Sequence, residues 1–142
     1  MSEDFKKNLD LALGNAKRLS NKILIDGKLI SAKSSNKIKV VNPSTGEQIG
    51  EAPQCDAHDV NTAVASAETA FHKWKKIPAR ERGKMMTAAA RKLEERRDEI
   101  ETLLALDTGN ALRTQAKPET AASIELTHMF AGLAGEIKGE NY

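Results

Sequence analysis

Cysteine and aromatic residues are scarce in this chain, and it has no long hydrophobic run. Its 142 residues include a single cysteine, Cys55, so no disulfide can form within the chain. Aromatic residues make up only 4%, which leaves few large side chains for a core and few rings on which nucleic-acid bases could stack. No segment approaches the roughly 20 consecutive apolar residues that a membrane helix needs. We therefore expect neither a disulfide scaffold, nor a nucleic-acid binder, nor a membrane protein.

An excess of charge of one sign is also missing. Lysine and arginine number 22 against 20 acidic residues, which gives a net charge of +2. Opposite charges alternate along the chain, as in residues 94–99, a pattern typical of solvated helix faces. The length suits one domain. The lone cysteine and the absence of an apolar leader predict a cytoplasmic protein.

Residues 1–21 predict a short amphipathic helix, because Phe5, Leu9 and Leu13 recur at helical spacing among polar residues. We expect this segment to be a peripheral leader that is loosely attached. The alternative is a basic helix that lies on a membrane surface, which the narrow apolar face disfavours.

Short strands follow the leader. The dipeptide Asp26-Gly27 lies between two apolar runs and favours a type I′ β-hairpin turn. Ile38 and Val40 alternate with lysines, as in a half-buried strand. Pro43 offers no backbone donor and ends that strand, and residues 48–52 resume a short one.

From Asp56 onward the hydrophobic period becomes helical and predicts three long helices. The first is capped by Asp56, the second runs from Pro78 to a stop at Gly109, and the third runs from Pro118 to a stop at Gly139. The residues predicted to face inward are Val60, Ala63, Val64, Ala67, Phe71 and Trp74 in the first helix, Met86, Ala90, Leu93, Ile100 and Leu104 in the second, and Ala122, Leu126, Met129, Phe130, Leu133 and Ile137 in the third.

Candidates for chemistry are few. Cys55 precedes a predicted helix N-terminus, a position that can activate a thiol, but a loop thiol without a catalytic role is the favoured interpretation. The three histidines are too scattered for a recognisable ligand pattern, so no zinc site is predicted. Gly132 and Gly135 do not form a phosphate-binding loop, and we expect them to let a neighbouring element approach closely. The sequence therefore predicts no catalytic and no cofactor-binding residue.

Seven segments, taken in order, resemble the N-terminal part of the aldehyde dehydrogenase superfamily. The strongest is the Asn-Pro-Ser-Thr-Gly-Glu turn at residues 42–47. The segments are IDGK at 25–28, VNPSTGE at 41–47, DVNTAV at 59–64, AFHKW at 70–74, PARER at 78–82, LDTG at 106–109 and FAGLAG at 130–135. The resemblance implies an α/β protein of Rossmann type, to which this chain contributes a β-hairpin, short antiparallel strands and three long helices.

The resemblance also implies an activity. Enzymes of this family oxidise a small-molecule aldehyde to a carboxylic acid with NAD or NADP through a cysteine thioester, and a homodimer or homotetramer is expected. We expect residues 22–142 to stop before the dinucleotide-binding strands and the catalytic domain, so the chain alone should be inactive. A non-catalytic binding or regulatory module derived from this family is the alternative. The reading frame beyond Tyr142 would distinguish the two.

Two groups of site residues follow from the resemblance. The backbone carbonyl of Val41 and the carboxylate of Asp107 match positions that hold a monovalent cation, for which oxygen ligands are suited. The alternative for Asp107 is a hydrogen bond to local amides. Four positions at the start of the third helix match the wall of the aldehyde tunnel: Glu119, Ala122, Ser123 and Leu126.

Overall fold

A computed structural model describes residues 3–136 of the chain. Within these residues, two antiparallel strand pairs are followed by helices that make up the second half of the fold. The elements are α1 (Glu3–Leu19), β1 (Lys22–Ile25), β2 (Lys28–Ser31), β3 (Lys37–Val41), β4 (Gln48–Pro53), α2 (Ala57–Trp74), α3 (Ala79–Glu95), α4 (Arg97–Thr108), a π-helical turn (Leu112–Ala116) and α5 (Lys117–Leu133). None of the helices in this part of the chain is long and apolar enough to cross a membrane.

Both predicted turns are present. Asp26 and Gly27 have positive φ values of 51° and 71° between β1 and β2, as a type I′ turn requires. Between β3 and β4, the carbonyl of Asn42 accepts from the amide of Gly46 at 2.8 Å. The Asn42 side chain also accepts from the amide of Ser44 at 2.9 Å. The predicted hairpin and the predicted Asn-Pro turn are therefore confirmed.

The predicted N-terminal helix is confirmed as α1, and it packs against α4 and β4. Ala12 is completely buried. The Asn15 side chain donates to Oε1 of Glu99 in α4 at 2.8 Å, and the Ser20 hydroxyl accepts from the amide of Glu51 in β4 at 3.1 Å. These contacts hold α1 against the rest of the molecule instead of leaving it loosely attached.

The helix α2 begins where it was predicted to begin, with the Asp56 carboxylate accepting from the amide of Asp59 at 2.9 Å. Its apolar stripe, however, is not buried. Val60, Val64 and Phe71 are 52%, 60% and 57% exposed. The prediction that these residues face inward is therefore wrong within residues 3–136, because no other described element covers them.

The second predicted helix is broken into α3 and α4 at Arg96, whose backbone has φ −111° and ψ 17°. Neither glycine nor proline marks this break in the sequence. The predicted stop is confirmed, because Gly109 adopts a left-handed conformation with φ 73° at the end of α4. Ala90 is buried as predicted, whereas Leu93 is 38% exposed.

The third predicted helix is present as α5, but a different face is buried. Thr120, Ile124 and Ala131 are the buried residues of α5. The apolar residues that were predicted to face inward are exposed instead: Ala122, Leu126, Met129, Phe130 and Leu133. Ile137 and the predicted stop at Gly139 lie outside the described residues.

Close packing of α3 on α5 depends on Gly83. A methyl group on its α-carbon would lie 2.6 Å from the carbonyl oxygen of Ala131 and 3.2 Å from the β-carbon of Ala134. No atom lies within 4 Å of a methyl group placed on Gly132 or Gly135. The prediction that these two glycines admit a neighbouring element is therefore wrong, and Gly83 has that role.

Candidate functional site

The end of α4 lies against the turn between β3 and β4. A methyl group on Gly109 would lie 2.7 Å from Cγ of Pro43 and 3.6 Å from Oγ of Ser44. Two segments that are far apart in the sequence, the Asn-Pro turn and the Leu-Asp-Thr-Gly segment, therefore meet in space. Only a residue without a side chain allows this approach, and glycine also tolerates the positive φ found there.

The two residues predicted to bind a cation precede this contact in the sequence, Val41 two residues before Pro43 and Asp107 two residues before Gly109. Val41 is the last residue of β3, next to a register shift in the β3–β4 pair. Asp107 lies in the last turn of α4 and is exposed. Its carboxylate takes part in no hydrogen bond or ion pair with the described residues, so local amides do not hold it. Asp107 borders an open cavity of about 640 Å³ that Val40 and Ile49 also line.

Asp107 lies at the C-terminal end of α4, and Lys22 and Arg96 line the same cavity. The last turn of α4 contains no basic residue. The C-terminal end of a helix carries the negative end of its dipole, so a carboxylate there is electrostatically unfavourable unless a positive charge is close. Across residues 3–136, however, no three or more His, Cys, Asp and Glu side chains are grouped to hold a metal ion. Any cation at this point would need backbone carbonyl oxygens in addition to Asp107.

The four predicted tunnel residues share one exposed stretch of α5. The Ser123 hydroxyl donates to the backbone carbonyl of Glu119 at 2.9 Å. The side chain of Asn110 donates to Oε1 of Glu119 at 3.5 Å. Ala122 is exposed, and Leu126 is 49% exposed. The start of α5 thus presents a small residue between a carboxylate and an apolar side chain, on a face that the other described elements leave open.

Cys55 is exposed in the loop between β4 and α2. None of the hydrogen bonds among residues 3–136 involves its thiol or the imidazole ring of His58. His128 lies in α5, where Nε2 is 3.5 Å from Oε1 of Glu94 in α3. Within the described residues, no hydrogen bond therefore links the thiol to a base.

Three acidic residues with defined partners were missed in the sequence. Asp59 is buried, and hydrogen bonds from the amides of Lys33 and Ser34 lower its pKa, the Lys33 bond having the largest effect. Glu99 pairs with Arg96 at 2.6 Å, and Glu101 pairs with Arg97 at 2.8 Å. The spacings of three and four residues indicate these two ion pairs, but no local pattern shows that both glutamates are buried.

Superposition on a solved structure defines the fold class. The structure superposes on HpcC from Thermus thermophilus with a TM-score of 0.88 at 23% identity, over 95% of this chain and 26% of that one. That likeness places the chain in an α/β fold of Rossmann type, to which residues 3–136 contribute antiparallel strand pairs and helices. The predicted fold class is confirmed.

The chain belongs to the aldehyde dehydrogenase family, whose model matches residues 29–142. A mitochondrial benzaldehyde dehydrogenase of Antirrhinum majus is 36% identical over 84% of this chain and 23% of its own length. A phenylacetaldehyde dehydrogenase of Pseudomonas fluorescens is 30% identical over 98% of this chain and 28% of its own. Betaine aldehyde dehydrogenase from Staphylococcus aureus, solved in complex with NAD+, superposes with a TM-score of 0.84 at 30% identity, over 94% of this chain and 27% of that one. The chain thus spans less than a third of the length of these relatives.

Proposed function

We propose that this chain forms the N-terminal part of an NAD- or NADP-dependent aldehyde dehydrogenase that oxidises an aldehyde to a carboxylic acid through a cysteine thioester. The observation that carries the proposal is the family match over residues 29–142, together with superposition on a relative that was solved with NAD+. A homodimer or homotetramer in the cytoplasm is part of the same proposal.

The chain itself is proposed to be a scaffold for that chemistry. Its described strands are all antiparallel, and no glycine-rich loop joins a strand to a helix within residues 3–136. These residues therefore do not form a dinucleotide-binding site, because such a site in Rossmann-type folds needs a parallel strand followed by a loop and a helix. We further propose that Cys55 is not the nucleophile, because it lies exposed in a loop and has no hydrogen bond to a base among the described residues.

We propose that Val41 and Asp107 help to bind a monovalent cation that stabilises the contact between the Asn-Pro turn and the end of α4. The meeting of these segments at Pro43 and Gly109 supports this role. The Asp107 carboxylate at the C-terminal end of α4, a turn without a basic residue, supports it as well.

We propose that Glu119, Ala122, Ser123 and Leu126 form one wall of the aldehyde tunnel and that the substrate is an aromatic aldehyde. The exposed, small side chain of Ala122 leaves width for a ring. Two relatives are named for aromatic aldehydes, benzaldehyde and phenylacetaldehyde. This assignment predicts preference for those two compounds over acetaldehyde.

The test compares the 142-residue chain with a protein in which the reading frame continues beyond Tyr142. NADH or NADPH formation is measured with benzaldehyde, phenylacetaldehyde and acetaldehyde. The longer protein should turn over aromatic aldehydes, C55S should leave its kcat unchanged, and the 142-residue chain should be inactive. Turnover by the chain alone, or loss of activity in C55S, would contradict the proposal. A stop codon directly after Tyr142 would favour the non-catalytic module instead.

A further inference from the structure

The helix α2 has few attachments to the rest of the fold. Asp59 is its buried residue, at 5% exposure, while the apolar residues Val60, Val64 and Phe71 are more than half exposed. Among the described residues, and apart from the cap at Asp56, the hydrogen bonds of the Asp59 carboxylate are the only side-chain hydrogen bonds that join α2 to another part of the chain. Apart from its packing against β1 and its short connection to α3, this 18-residue helix is therefore fixed by one residue near its N-terminus.

Asp59 is engaged from both sides. Its amide donates to the Asp56 carboxylate at 2.9 Å, which caps the helix. Its own carboxylate accepts from the amides of Lys33 and Ser34 at 3.0 and 3.4 Å. Hydrogen bonds to an ionised acceptor are roughly twice as strong as neutral ones. The helix start and the loop after β2 are thus joined through a single side chain.

The loop that Asp59 holds is itself fixed to the second strand pair. The carbonyl of Asn36 accepts from the amide of Gln54, just after β4, at 2.9 Å. The chain enters α2 directly from that point, because Gln54 is followed within two residues by the cap, Asp56. The loop, the end of β4 and the first turn of α2 therefore form one connected unit.

We propose that Asp59 is a latch that fixes the angle between α2 and the strand pairs. Without its carboxylate, the amides of Lys33 and Ser34 lose their acceptor, and the start of α2 can tilt between the segment that follows β4 and the connection to α3 at residues 75–78. The latch is a positioning device, because it determines where the apolar stripe of α2 points. It does not depend on the proposed catalytic function.

The test measures the orientation of α2 through distances between spin labels in the full 142-residue chain. Cys55 is first replaced by serine, so that only introduced cysteines are labelled. One label pair, K28C with K73C, joins the β1–β2 hairpin to the far end of α2. The control pair, R91C with E125C, joins α3 to α5, and all four positions are exposed.

The D59A variant should broaden the distance distribution of the α2 pair and leave that of the control pair narrow. The matched control is E68A, which removes an exposed α2 carboxylate that has no hydrogen bond or ion pair among the described residues, and should change neither distribution. An unchanged α2 pair in D59A would overturn the proposal. If D59A also broadens the control pair, D59N decides, because its amide oxygen keeps one acceptor. Broadening of the α2 pair alone, or of neither pair because the remaining oxygen still accepts, would then support the latch, and broadening of both pairs would overturn it.

Discussion

Replacing Gly83 with alanine should destabilise the contact between α3 and α5. The added methyl group would lie 2.6 Å from the backbone carbonyl oxygen of Ala131. A backbone atom cannot rotate away, so α3 and α5 would have to separate. Overpacking of this kind costs about 1–3 kcal/mol, and the better helix propensity of alanine returns about 1 kcal/mol. We expect a net loss of stability of up to about 2 kcal/mol.

Gly14 in α1 is the matched control, because a methyl group placed there meets no atom within 4 Å. The G14A variant should gain about 0.5–1 kcal/mol from helix propensity alone. Urea unfolding followed by circular dichroism measures both variants. With a urea dependence of about 1–3 kcal/mol/M, the two midpoints should differ by about 1 M. A G83A midpoint that rises as much as that of G14A would refute the packing argument.

Three further results are expected. The pKa of Asp59 is lowered from 3.8 in the folded chain, so the stability that this residue contributes should be present above pH 3.8 and lost as the pH falls through the folded-state pKa. The urea midpoints of D59N and the original chain should therefore converge in acid. G109A should cost more than G46A in the same assay, because both have φ 73° but only Gly109 contacts Pro43. The exposed apolar residues predict a weakly stable chain that binds a hydrophobic dye and self-associates as its concentration rises, and a high melting temperature with little dye binding would contradict this.

Local signals gave reliable predictions wherever backbone chemistry alone determines the conformation. Positive φ at Asp26 and Gly27, the cap at Asp56 and the left-handed stop at Gly109 each follow from a property of that residue. The break at Arg96 could not be predicted this way. No glycine or proline marks the break, and Arg96 pairs there with Glu99. Glu99 is held in turn by Asn15 of α1, a contact between distant parts of the sequence.

The buried face of a helix is harder to predict, because periodicity identifies an apolar stripe but not the element that covers it. In α5 the apolar residues Leu126 and Phe130 are about half exposed, while Thr120 is buried. The contact between α3 and α5 is instead made by small residues, because the backbone of Ala131 lies close to the α-carbon of Gly83. The candidate site was limited in the same way: the resemblance supplied Val41 and Asp107, and only the fold brings their segments together.

The last prediction concerns Ala122 and the proposed tunnel. Ala122 lies one helical turn from both Glu119 and Leu126, so the three side chains share a face of α5. In the 142-residue chain, A122F should leave the urea midpoint nearly unchanged, because Ala122 is exposed.

In the longer protein, the added ring should narrow the tunnel and exclude bulky aldehydes. The ratio of kcat/KM for phenylacetaldehyde to that for acetaldehyde should fall by about 10- to 200-fold, the range that small steric differences produce in an apolar pocket. The melting temperature of the same variant separates this effect from misfolding. An unchanged ratio with a lowered melting temperature would mean that Ala122 packs in the core of the full enzyme, where overpacking costs about 1–3 kcal/mol, and would remove α5 from the tunnel.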